Sequence, residues 1–186
     1  MTQAEPAVHG GDGRVDRVAI IAEYDRVAAD LRHLVASADG AARRRPSHGT
    51  RWTNEQLLFH MVFGHIVVLR LLVLVRLIGR LPDRIGSGFA ALLDAGTPIF
   101  DAVNYLGAVG GARVFHGDAL VRRSDRVIGA LHRSLEREPD VNFGLRMPYP
   151  TRWDPFFSRY MDLGDIYRYP TRHYDFHRDQ LTLDGR

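Results

Sequence analysis

Apolar and polar positions alternate with a helical period over most of the chain. Between residues 15 and 38, Ile20/Ile21, Tyr24, Val27/Ala28, Leu31 and Leu34/Val35 recur at spacings of three and four with charges between them. That is the pattern of an amphipathic helix laying one face on a core. The stretch "DGAARRRPSHGTRW" loses the period and reads as a loop. Thr53, with Glu55 and Gln56 in the turn that follows, is a good N-cap, and a long helix is expected to run from it to about Leu81, where "LPD" ends it. Residues 84–96 give conflicting signals, "IGSG" for a break and "FAALLDA" for a short helix. Thr97-Pro98 predicts a helix start, a capping hydroxyl followed by proline at the first position. The helix after it aligns Ile99, Val103, Leu106 and Gly110 on one face. Gly107, Gly110 and Gly111 weaken it but permit close approach of a neighbour. Asp118 opens a further helix, with Leu120, Val127/Ile128, Leu131 and Leu135 on its core side, ending near Pro139. Residues 139–161 are irregular and rich in proline and aromatics, and Asp162 begins a last helical segment. No internal repeat and no alternating strand pattern stands out. The expected fold is all-α, an up-down four-helix bundle with an additional C-terminal irregular segment and helix.

Composition narrows the function classes. The 186 residues suit one helical domain over 15–186, preceded by a tail at 1–14 with no apolar run, expected to be disordered. Cysteine is absent, which excludes disulfides, a thiol nucleophile and thiolate metal ligands in this chain. All 25 basic residues are arginine, and a net charge of +3 leaves no basic face, so nucleic-acid binding is not expected. The cluster Arg43-Arg44-Arg45 reads as a solvated loop. The most apolar stretch, "IVVLRLLVLVRLIGRL" from Ile66, is interrupted by Arg70, Arg76 and Arg80. It therefore reads as a buried helix rather than a membrane span of about 20 residues. A cytoplasmic location is the expectation, and a helix apolar on more than one side allows a homodimer.

Chemistry concentrates in the histidines. His173 and His177 are four residues apart, so on a helix their Cβ atoms lie about 5–6 Å apart and can address one ion. They share the apolar line Leu163, Ile166, Pro170, His173, His177, Leu181. Pro170 lacks a backbone donor, which predicts that the regular helix starts at or just after it. His60 shares a stripe with Gly64, Val67, Leu71, Leu74 and Ile78, whereas His65 lies about 140° around the same helix. His33 and His132 sit among charges and are expected in solvent, His9 and His48 fall in loops, and His116 has no assigned role. Three imidazoles with a free position match an open site for zinc, and imidazole also suits nickel, copper and iron. Against this stands the ordinary alternative of satisfied core histidines.

Two motifs carry a resemblance. "GTRWTNEQLLFHM" (49–61) and "YPTRHYDFHRDQL" (169–181) resemble the second-helix start and the terminal histidine motif of the DinB/YfiT-like metal-binding superfamily. The resemblance extends over most of residues 15–183. It implies a four-helix bundle holding one divalent metal, zinc or nickel, through His60, His173 and His177. Two readings are compatible with such a site: a metal-dependent enzyme of that class, or a non-catalytic bundle serving stress response or interaction. The enzyme would act on a small-molecule substrate, as a thiol S-transferase using a low-molecular-weight thiol or as a hydrolase. Trp52 is expected to pack the helix start, and Tyr169, Tyr174 and Trp153 to line a pocket or join the core. Asp165 or Asp175 is a candidate to orient a ligand histidine. Arg152 and Arg172 are candidates for an anionic substrate group.

Overall fold

The computed structural model describes residues 15–183, so the expectations for residues 1–14, His9 among them, lie outside the described residues. Helix α1 (Arg17–Ser37) is capped by Asp16 and buries Ile20, Tyr24, Val27, Ala28, Leu31, Leu34 and Val35, as its periodicity predicts. A short helix α2 (Gly40–Arg44), capped by Asp39, occupies part of the expected loop. Helix α3 (Asn54–Ile78) begins with a capping box in which Thr53 and Gln56 satisfy each other's backbone donors. Helix α4 (Asp83–Ala95) resolves the conflict over 84–96 in favour of helix. Then follow α5 (Thr97–Val114) and α6 (Asp118–Glu136). A 3-10 turn at Asp140–Gly144 leads into a two-stranded antiparallel sheet, β1 (Arg146–Pro148) with β2 (Tyr160–Asp162), in register Met147 to Met161. Helix α7 (Leu163–Arg178) ends the fold.

Side-chain pairings give the helix directions. Arg17 reaches the Leu135 carbonyl and Arg32 pairs with Asp125, so α1 and α6 run antiparallel. His60 meets His177 and Arg76 meets Tyr167, so α3 and α7 also run antiparallel. Gly111 lies on Phe59 and Gly107 on Phe63, which sets α5 antiparallel to α3. In chain order α1, α3, α5, α6 and α7 therefore alternate, the expected up-down arrangement. The closed ring around the core is α1, α6, α3 and α7, with α5 laid outside on α3.

Four expectations are corrected here. Helix α7 runs unbroken through Pro170. Its start is fixed earlier by a second capping box, Asp162 with Asp165, and the Tyr24 hydroxyl donates to the Tyr167 carbonyl (2.5 Å) in the turn before the proline. Pro170 is itself buried, so the helix is held by packing on either side of the donor it lacks. Thr97 does not cap α5: the N-cap is Gly96, and the Thr97 hydroxyl donates back to the Asp94 carbonyl (2.7 Å). The aligned face of α5 points to solvent, with Ile99, Val103 and Leu106 exposed by 72%, 57% and 64%. The helix buries its small side instead, Ala108 and Ala112, where a Cβ on Gly111 would fall 2.1 Å from the Phe59 ring. His132 is half-buried, stacked on Tyr24 at 5.7 Å between ring centres.

By length and composition α3 would be able to cross a membrane. In this fold it is the central helix, packed against α5, α6 and α7. Its Arg76 is held by Glu138 (2.5 Å), Ser134 (2.9 Å) and Tyr167 (3.0 Å). Glu138 is 4% exposed, so this is a buried charge with its partners in place.

Candidate metal centre

The antiparallel contact of α3 with α7 brings together the three histidines singled out by spacing. His60, on the second turn of α3, meets His173 and His177 on successive turns of α7, with ring centres 5.0, 4.7 and 4.5 Å apart around the three pairs. All three rings are buried, and each offers a nitrogen within 4.8 Å of the others, a set that can hold a metal ion. His60 Nε2 and His177 Nε2 are 3.2 Å apart, against about 3.3 Å for two nitrogens on a tetrahedral ion with bonds of about 2.0–2.1 Å. His173 Nε2 is buried without a hydrogen-bond partner among the described residues. An unpaired nitrogen in a dry site is costly unless something takes its lone pair.

The outer nitrogens are oriented by the chain. His173 Nδ1–H donates to Asp154 Oδ2 (2.8 Å), which also accepts from the Tyr169 hydroxyl (2.8 Å), while the Phe156 backbone N–H donates to Oδ1 (2.9 Å). Burial raises the Asp154 carboxyl, but the hydrogen bonds it accepts from His173, Phe156 and Tyr169 outweigh it and hold the group below its ordinary value. An ionised Asp154 is an acceptor only, so the proton of His173 stays on Nδ1 and the lone pair on Nε2. His177 Nδ1–H donates to Gln180 Oε1 (2.7 Å). Gln180 is in turn placed by the segment after α7, where Thr182 N–H donates to Asn54 (3.0 Å). Burial, reinforced by the neighbouring imidazoles, pushes His60 down to about 2 and His177 to about 4. Both rings are therefore neutral at pH 7, the form that donates to a metal.

Sequence reasoning missed several of these residues. Asp154 does the orienting expected of Asp165 or Asp175. Asp165 is committed to the α7 cap and Asp175 to an exposed ion pair with Arg26 (2.8 Å). Gly64 is required by space: a Cβ there would lie 2.8 Å from His173 Cδ2. Trp52 stacks on His60 at 4.4 Å between ring centres, so it covers the site as well as the helix start. Tyr169 and Trp153 border the cavity beside the histidines. Tyr174 instead donates to Asp30 (2.8 Å). Arg152 is taken by Asp94 (2.9 Å) and Arg172 is exposed. The arginine that does border the site is Arg51, in the loop before α3. His65 is buried on the other side of α3, where its Nδ1 faces the Met61 carbonyl (3.0 Å), and it takes no part in the cluster.

A helical bundle with three inward imidazoles from two antiparallel helices defines a class that comparison places. The family model described as the DinB superfamily matches residues 23–181, and the chain belongs to that superfamily. No curated protein and no solved structure matches the chain.

Proposed function

We propose that His60, His173 and His177 bind one divalent metal ion, zinc or nickel, through their Nε2 atoms. On this reading the protein is a metal-dependent enzyme that transfers a group to or from a low-molecular-weight thiol or hydrolyses a small substrate. The observation that carries the reading is the convergence of three buried nitrogens within 4.8 Å, with His173 Nε2 unpartnered among the described residues. Such an ion, when bound, supplies an acidified water or a seat for an incoming thiolate. The chain's residues do the rest. Asp154 and Gln180 hold two rings in the donor tautomer. Trp52 covers His60 and limits bulk water. His177 borders an open concavity through which a ligand can arrive, which favours an exchangeable position over a sealed structural ion.

The test is elemental analysis of protein purified without added metal, alongside His60→Ala and His173→Ala. About one equivalent in the parent and none in either variant is expected. Metal retained in a variant removes that residue from the ligand set. With loaded protein in hand, thiols are titrated against a cobalt-substituted sample. Absence of any thiolate-to-metal absorption would reject the thiol reading and leave hydrolysis.

A further inference from the structure

The histidine cluster separates two unlike spaces. His60 and His173 border a narrow, partly enclosed cavity of about 60 Å³, walled by Phe63, Val67, Leu71, Phe100, Trp153 and Phe157. His177 borders an open concavity of about 460 Å³ whose lining includes Thr50, Arg51, Asp101 and Gln180. Asn104 touches both. The cavity is roofed by elements outside the bundle ring. Phe100 of α5 lies flat on Trp153 of the 149–159 loop, 4.0 Å between ring centres at 5°. The indole N–H of Trp153 is engaged by Thr97 Oγ1 (2.9 Å), and the Asp154 and Tyr169 polar atoms are engaged with His173 and each other. Polar groups on its wall are thereby confined to the histidine end and Asn104, and the rest of the surface is apolar, which suits apolar matter better than water.

We infer that this cavity is a binding subsite for a short aliphatic group carried directly on the ligand atom that approaches the histidines. The inference rests on the metal reading above for that atom's partner, but the cavity itself does not need the ion. Its volume sets the class. About 60 Å³ has room for about two water-sized groups and is well under the ~150 Å³ of an engineered cavity that binds benzene. A two- or three-carbon tail fits and an aromatic ring does not. The polar remainder of a substrate, or a polar cosubstrate, belongs in the concavity beside Arg51 and Asp101.

The experiment has two arms. In the first, cobalt-loaded protein is titrated with n-alkanethiols of one to six carbons, and thiolate-to-cobalt absorption is read. Affinity is expected to rise about fourfold per methylene up to propanethiol and then to level or fall. Leu71→Trp, and Val67→Phe as a second filling variant, should flatten that series. A flat series in the parent, or an undiminished rise in both folded variants, overturns the proposal. In the second arm, metal-free protein is exposed to xenon and its methyl resonances are followed. Shifts at Val67 and Leu71 are expected, and loss of the Val67 shift in Leu71→Trp. If no cobalt is taken up, the metal reading fails and the xenon arm alone decides the cavity, an absence of shifts overturning it.

Discussion

Replacing Gly64 with alanine puts a methyl group where the His173 ring lies. The added carbon would sit 2.8 Å from Cδ2 and 3.3 Å from Nε2 of that ring, whereas carbon atoms settle at about 3.5–4.0 Å. Something must retreat by roughly 0.7 Å or more. The α3 backbone is locked into the core by Leu57, Met61, Val68 and Leu72, each no more than 1% exposed, so the ring is what moves. Metal ligands tolerate displacements of only about 0.2 Å, and the same movement strains the bond to Asp154. Metal affinity should therefore fall by at least about 10–100-fold, the scale of losing an orienting partner. Stability should change far less. Alanine gains up to about 1 kcal/mol over glycine inside a helix, which partly offsets an overpacking penalty of about 1–3 kcal/mol. Affinity is read by competition with a chromogenic chelator, and folding by circular dichroism melts of the metal-free protein. Gly88→Ala is the control, since a Cβ there meets nothing within 4 Å. If Gly64→Ala binds metal as tightly as the parent, His173 is not a ligand where the structure puts it, and the reasoning fails.

Other outcomes follow from the same geometry. Asp154→Asn should lower metal affinity by about 10–100-fold while the protein stays folded, because a neutral amide no longer fixes the Nδ1–H tautomer; unchanged affinity would dismiss Asp154 as an orienting group. Metal-free protein should lose stability as the pH drops from about 6.5 to about 4. Burial holds His65 and His177 down to about 4 in the folded state, so over that window the unfolded chain binds more protons, and the stability fully present above about 6.5 is withdrawn. His65 alone accounts for about 3 kcal/mol of this. Urea midpoints at pH 7.5 and 5 check it, and equal midpoints would contradict it. Gly111→Ala should destabilise by about 1–3 kcal/mol, since its Cβ would overlap Phe59; a thermal midpoint at or above that of the parent would show that α5 does not seat as described.

What the sequence determines by itself are the features that repeat along one element. Spacings of three and four located the buried faces of α1 and α6, and the local chemistry of Thr53 and Asp162 located two helix starts. The same rule put His173 and His177 on one inward line and His60 on another, which narrowed nine histidines to three. Periodicity reports only that a face is apolar, however, not which neighbour covers it. The stripe Ile99, Val103 and Leu106 looks like a core face, yet α5 turns its small residues inward because Phe59 demands the space at Gly111. Pro170 breaks a helix by local rules, and bundle packing carries α7 through it. Asp154 lies in an aperiodic loop, and Gln180 lies beyond the last helix. Their roles exist only because antiparallel packing of α3 on α7 closes the loop and tail over the histidines. Tertiary contact alone decides such pairings, because nothing along the chain encodes a distance between residues 154 and 173 or between 60 and 177.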